Sequence, residues 1–305
     1  MAIVPVTGEA FYEIAWRARL ALIEPWCAEP GANPLRIIHR LELHELDNQL
    51  GLDMVLNTAT GEKGYSGAFR WYRRPTEPGG TLPTGVPPFL PVAVRDREMM
   101  VPSYADFGAI PGRWVAHHLQ SNRYDAIAEL GSGLGRNLFS IYYNGGPPGP
   151  YFTCEFAESG RRITQMLAAL DPAIAMRVLP FDHKAPDLSF LAGFKRVLLI
   201  TVHSIEQIDR LPDTYFDTLA AAAPEVTAMH FEPFGFQLGR DNDVSRRQRD
   251  HFTGRGWNLD LLEKLRDADK RGVIHMSFLS DNLWGNTLEN PTSVAIWEKP
   301  VKKRK

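Results

Sequence analysis

Ala128-Glu129-Leu130-Gly131-Ser132-Gly133-Leu134-Gly135-Arg136-Asn137 closes an apolar run that starts at Tyr124 and is broken only by Asp125. Such a run reads as a buried parallel strand. Three glycines at alternate positions follow, then the apolar helix Leu138-Phe139-Ser140-Ile141-Tyr142-Tyr143, stopped by Asn144-Gly145-Gly146. Strand, glycine turn and helix together bring backbone N–H groups and a helix N-terminus against a nucleotide-like ligand. A dinucleotide fingerprint needs G-x-G-x-x-G. Here the third glycine comes one residue early and Arg136 stands in its place. Glu129, at the strand end, would repel a pyrophosphate and suits a ligand that carries positive charge.

The next segments repeat the strand–helix alternation. Tyr151-Phe152-Thr153-Cys154 reads as a strand ending in Glu155, about 20 residues past the glycines, where an acid can take both ribose hydroxyls. A helix from Ser159 to Leu170 and a strand from Ala175 to Phe181 lead to Asp182-His183. A fourth strand, Arg196 to Val202, precedes His203-Ser204-Ile205-Glu206, and a fifth, Val226 to Phe231, precedes Glu232. The chain closes with Val273–Leu279 and Thr292–Glu298.

Over residues 96–299 this pattern resembles the class I S-adenosylmethionine-dependent methyltransferases, whose first motif has the form acidic-x-Gly-x-Gly-x-Gly. The resemblance implies an α/β fold, a Rossmann-like seven-stranded methyltransferase sheet ending in an antiparallel hairpin. It implies S-adenosylmethionine as cofactor and S-adenosylhomocysteine as product. By the same resemblance Glu129, Gly131, Gly133, Gly135 and Glu155 hold the cofactor and Asp182 meets the adenine, with Asn137, Phe156 and His183 beside them. A fainter similarity, over Thr201–Gln207 and His230–Pro233, is to bacterial sugar O-methyltransferases. The early third glycine and the terminal hairpin speak against the alternative, a nicotinamide-dependent oxidoreductase.

A methyl group on a sulfonium is already electrophilic, so the protein must mainly hold an acceptor in line and exclude water. A hydroxyl acceptor also needs a base. His203 is the candidate base, because imidazole titrates near neutrality, and Glu206 is placed to orient it. Glu232 is expected to face the crevice as a third catalytic group. Tyr104, His230 and Arg240 are candidates for the acceptor side, although His230 lies within its strand and also fits a core histidine. A His/Glu pair is useful mainly where a proton must leave, which favours O-methylation over N- or C-methylation. A non-catalytic protein that binds S-adenosylmethionine as a partner remains the alternative. Asp182, His183, His203, His230 and Glu232 include metal-ligand types, but the set is too rich in His for magnesium, and no metal is expected.

Composition sets the remaining limits. The 305 residues are 44% hydrophobic and 23% charged, with a net charge of −2, so nothing pulls the chain toward nucleic acid or an anionic membrane. Two cysteines do not make a disulfide framework. No segment reaches the ~18 apolar residues of a membrane span. Glu9, Glu13, Arg17 and Arg19 interrupt the apolar N-terminus, unlike a signal peptide. A cytoplasmic enzyme acting on a small molecule is expected, and sequence does not decide between monomer and homodimer. Residues 1–95 are expected to form an extension and residues 96–305 the methyltransferase domain. In the extension, Glu9–Trp26 and Leu35–Leu50 read as amphipathic helices, the latter with Leu43, Leu46 and Leu50 at helical spacing. Residues 61–102, rich in Pro and aromatics, read as an irregular arm and a candidate lid. Between Phe236 and Gly256 the arginines read as a charged insertion, before a helix capped by Asn258 with Leu259, Leu262 and Leu265 as its stripe.

Overall fold

A computed structural model describes residues 9–56, 63–73, 89–285 and 287–300. The chain forms two compact units, residues 1–88 with 156–172, and residues 89–155 with 173–305. In chain order, α1 (Glu9–Cys27), α2 (Pro34–Asp47), β1 (Asn48–Leu56) and β2 (Lys63–Arg73) belong to the first unit. The second begins with β3 (Phe89–Val94), β4 (Arg97–Pro102), α3 (Ile110–His118), β5 (Ala126–Leu130), α4 (Arg136–Tyr143) and β6 (Tyr151–Glu155). Helix α5 (Glu158–Leu170) groups with the first unit. The second is completed by β7 (Met176–Pro180), β8 (Arg196–Val202), α6 (Tyr215–Ala221), β9 (Glu225–Glu232), α7 (Asp243–Thr253), α8 (Leu261–Lys270), β10 (His275–Gly285) and β11 (Pro291–Glu298).

In the first unit, α2 starts where Asn33 accepts a hydrogen bond from the Arg36 N–H and Pro34 fills the first turn. Ile37, Ile38 and Leu41 form its buried stripe. The expected continuation to Leu50 is corrected: Leu43 is exposed, and the chain extends from Asn48 into β1, which pairs antiparallel with β2. Helix α1 packs on α5, where Glu13 accepts from both the N–H and the hydroxyl of Ser159 and sets a negative charge at the α5 N-terminus. The irregular arm is corrected too. Residues 63–73, 89–94 and 97–102 are strands, and 61–62 and 74–88, part of the candidate lid, lie outside the described residues.

The second unit is built on one seven-stranded sheet, ordered β10-β11-β9-β8-β5-β6-β7. Strands β5 to β9 run parallel, and β11 pairs antiparallel with both β9 and β10. This is the expected seven-stranded Rossmann-like α/β sheet, ending in an antiparallel hairpin. Strand β8 shows why the parallel strands form: Val197 to Thr201 are all buried, as a near-continuous apolar run must be when both faces are covered. Leu199, Ala228, Phe216, Leu219, Leu265 and Trp297 meet in one core. The chain leaves β5 toward β6 and β7 on one side and toward β8 and β9 on the other. The carboxyl ends of β5 and β8 therefore flank the switch point where open α/β sheets place ligands.

Two further expectations are corrected. The charged insertion contains helix α7, capped by Asn242, whose side chain accepts from the Ser245 N–H. Asn258 is not the cap of α8: its backbone is left-handed, its amide donates to the Pro233 carbonyl, and the helix starts at Leu261 with Leu259 exposed. Among the described residues no helix is long and apolar enough to cross a membrane.

Trp297 locks the hairpin to the sheet. It is fully buried, and its indole N–H donates to Nε2 of His230 at 2.8 Å. Trp297→Ala removes a large core side chain and leaves that nitrogen without its donor. It should destabilise the unit by about 3–5 kcal/mol in urea unfolding. A loss under about 1 kcal/mol would contradict this packing.

Candidate cofactor and catalytic site

The glycine loop is shaped by backbone that other residues rarely adopt. Gly131, Gly133 and Gly135 have φ of 75°, 56° and 79°. A Cβ on Gly131 would stand 2.3 Å from Cβ of Ser204, so the loop after β5 and the loop after β8 approach each other with no room between them. The N–H groups of Gly131 and Ser132 donate to the Cys154 carbonyl, and that of Gly133 donates to Oε2 of Glu155 at 2.7 Å. Glu155, the acid expected to meet the ribose, is thus also an anchor of the loop.

Glu129 is 1% exposed within β5. Its Oε1 accepts from the Asn137 amide, while Oε2 is buried with no partner among the described residues, as is Oγ of Ser132. Burial pushes the Glu129 pKa up to about 8, against the Asn137 hydrogen bond and with the charge of Glu155 adding to the rise. Asp182 accepts from the N–H of Lys184. Phe156, next in sequence to Glu155, is 40% exposed. His183 is buried, with Nδ1 2.8 Å from the Tyr215 hydroxyl and Nε2 3.2 Å from Oγ of Ser204. Burial lowers its pKa to about 3, so it stays neutral.

After β8, His203 takes a left-handed backbone (φ 48°), a conformation that persists in non-glycine residues only where the surroundings impose it. Its N–H bonds the Phe231 carbonyl on one side. On the other, Ser204 Oγ donates to the Leu130 carbonyl, and the N–H groups of Ser204 and Ile205 donate to Glu232. Nδ1 of His203 lies 2.7 Å from Oε2 of Glu206, the expected pairing, reached through a bend in the chain. Nε2 lies 2.7 Å from Oγ1 of Thr292, and Oε2 of Glu206 also accepts from the Asn290 amide at 2.9 Å. Sequence reasoning missed Asn290 and Thr292, which come from the terminal hairpin. The His203 side chain is 29% exposed, so a small molecule can reach it. Burial works against its charged form, but the Glu206 carboxylate, by charge and hydrogen bond, and Glu232 behind it hold the pKa above the usual imidazole range. Glu206 is also penalised by burial, and its partners His203, Asn290 and Gln207 nevertheless hold it below the usual carboxylate range.

Four candidates remain. Glu232 is fully buried and does not face open crevice: it anchors the loop, and burial raises its pKa to about 7. His230 is a core residue, its Nδ1 bonded to Thr201 and its Nε2 to Trp297, and no ring nitrogen is left for an acceptor. Arg240 pairs with Asp281 at 2.8 Å and Asp96 at 3.5 Å. Tyr104 is exposed. Among the described residues no cluster of three or more His, Cys, Asp or Glu could hold a metal ion.

No family model matches the chain, and no curated protein matches it significantly. Solved structures with a similar fold include a geranyl diphosphate methyltransferase in complex with GPP and sinefungin. It is 9% identical at a TM-score of 0.43, the match covering 63% of this chain and 78% of that one. A magnesium protoporphyrin IX methyltransferase from Synechocystis PCC 6803 with bound SAH is 13% identical at a TM-score of 0.46, over 63% and 84%. The N-terminal domain of EvdMO1 in the presence of SAH and D-fucose is 13% identical at 0.40, over 69% and 91%. These likenesses are too distant to carry the chemistry of any of them to this chain.

The His203–Glu206 pair has a defined pH window. The raised pKa of His203 contributes stability that is complete below the ordinary imidazole pKa of about 6.5 and lost as pH rises through the raised value. The lowered pKa of Glu206 contributes stability present above the ordinary carboxylate pKa of about 4.3 and lost as pH falls. Glu206→Gln should therefore lower the NMR titration midpoint of His203, with its largest destabilisation between about pH 5 and 6. An unchanged midpoint would break the pairing.

Proposed function

We propose that this chain transfers a methyl group from S-adenosylmethionine to a hydroxyl of a small molecule, a sugar or natural product, with His203 as general base. The observation that carries this reading is the 2.7 Å His203–Glu206 pair at the carboxyl end of β8, one residue from the Ser204 that packs against Gly131. The residues present fit the cofactor. The unpartnered buried oxygen of Glu129 is an acceptor for a cationic amino group, and the left-handed glycines let a ligand approach the backbone. Glu155 and Asp182 stand at the ends of neighbouring strands for the ribose and the adenine.

When bound, S-adenosylmethionine supplies a methyl group that is already electrophilic. The chain's own task is to hold the acceptor oxygen in line and receive its proton. With Nδ1–H held by Glu206, the neutral imidazole has its lone pair at Nε2, which the Thr292 hydroxyl bonds in the free protein and which the acceptor hydroxyl must take over. The acceptor's proton passes to that nitrogen as its oxygen is methylated. Glu206 remains a carboxylate and stabilises the imidazolium that results.

His203→Ala should lower turnover roughly 10²–10⁴-fold in an assay with labelled methyl donor and a panel of sugars and natural-product alcohols. Affinity for S-adenosylmethionine in calorimetry should stay at the wild-type level. Methylation at near wild-type rate would remove His203 as the base. In the same calorimeter, Glu155→Ala should weaken cofactor binding by about 2–3 kcal/mol through loss of charged hydrogen bonds. Unchanged affinity would take Glu155 out of the site.

A further inference from the structure

The base of the proposed reaction has neighbours that come from the far end of the chain. The β10–β11 turn is fastened at several points before it reaches the site. The Thr287 carbonyl accepts from the Ala93 N–H, and the Thr287 hydroxyl accepts from the Asn290 N–H. Fully buried Gln248 of α7 donates to the Pro291 carbonyl while accepting from the Phe236 N–H. These bonds leave Asn290 and Thr292 little freedom, and both aim polar atoms at the His203–Glu206 pair.

The orientation of the Asn290 amide follows from its partner. A carboxylate accepts only, so Nδ2 must face Glu206 Oε2, and this leaves Oδ1 buried with no partner among the described residues. An orphaned carbonyl oxygen is unfavourable, and the bond to the carboxylate is what holds the amide in that sense. Glu206 Oε2 thus receives two donors, Asn290 Nδ2 at 2.9 Å and His203 Nδ1 at 2.7 Å. Across the ring, Thr292 is 3% exposed and its hydroxyl lies 2.7 Å from Nε2. With a proton on Nδ1, that hydroxyl donates to Nε2. When the ring is charged the direction reverses and Nε2–H donates to Oγ1.

We propose that Asn290 and Thr292 are positioning residues for the base: Asn290 fixes the carboxylate that holds Nδ1–H, and Thr292 holds Nε2 in place until the acceptor hydroxyl takes over that bond. This rests on His203 being the base. The C-terminal hairpin is then part of the proton-handling machinery as well as the edge of the sheet. The charged groups around the ring are Glu206 on its own loop and Glu232 from β9; further out, His251 of α7 feels both Glu206 and Glu289 of the turn.

The two residues should move the His203 titration in opposite directions. Thr292→Val keeps the shape and removes the oxygen. The imidazolium loses a charged hydrogen bond, stronger than the neutral one lost by the free ring, so the midpoint should fall by on the order of one pH unit. Asn290→Asp adds a second carboxylate beside Glu206 and should raise the midpoint by a similar amount. The measurement is an NMR pH titration of imidazole-labelled full-length protein without ligand, and it needs no knowledge of the acceptor. The nitrogen shifts of the wild type should show the proton of the neutral ring on Nδ1. Midpoints in both variants that match the wild type, with the fold intact by circular dichroism, would overturn the positioning role. So would a neutral wild-type ring protonated on Nε2. If His203→Ala methylates normally while the midpoints shift as stated, it is the base assignment that fails, and the contacts are structural.

Discussion

The contact between Gly131 and Ser204 is the constraint from which the site follows. It joins the ends of β5 and β8 across the switch point, and only a residue without a side chain fits there. Ser204 then bonds the Leu130 carbonyl and meets His183, while Glu232 takes the amides of Ser204 and Ile205. With Ser204 held on every side, its neighbour His203 has no choice but the left-handed backbone that turns its ring toward Glu206 and the hairpin. The strain of that conformation is maintained by the bonds around it, as backbone strain at functional positions generally is.

Buried acids do much of this positioning. Glu232 is spent on backbone amides, Glu206 on His203 and Asn290, and one oxygen of Glu155 on the glycine loop. Glu129 keeps a buried oxygen with no partner among the described residues, and burial raises its pKa. A buried carboxyl that is half satisfied is costly in isolation and suited to a cation. The same low-dielectric setting keeps His183 and His230 neutral and removes them from acid–base chemistry.

The sequence was most legible where one physical signal dominated. Strand β8 runs from Arg196 to Val202, as its unbroken apolar run implied, and the alternate glycines open α4 as read. Reading failed where signals competed. Tyr65, Phe69 and Trp71 sit at even spacing within β2, a period-2 pattern hidden by nearby Gly and Pro, so the stretch reads as irregular. In residues 236–256 the density of charge masked α7, whose buried face is Val244, Ser245, Gln248 and Phe252. Asn290 and Thr292 carried no local signal at all: they meet Glu206 and His203 across 84 and 89 positions of chain. Glu232 lies buried where the crevice was expected, because a strand end looks the same in sequence whether its side chains meet the crevice or the core, whereas His230 is the core histidine that its place within the strand allowed.

The central claim is that the crevice receives S-adenosylmethionine with its cationic end against Glu129. That carboxyl, with a pKa near 8 in the free protein, is largely protonated at pH 7 and must ionise to meet an ammonium. Calorimetric titration with S-adenosylmethionine at pH 7, in buffers of different ionisation enthalpy, counts the protons exchanged on binding. The account predicts release of close to one proton by the wild type, with Glu129→Gln binding more weakly and releasing none. Wild-type binding without proton release, at an affinity that Glu129→Gln leaves unchanged, would contradict it.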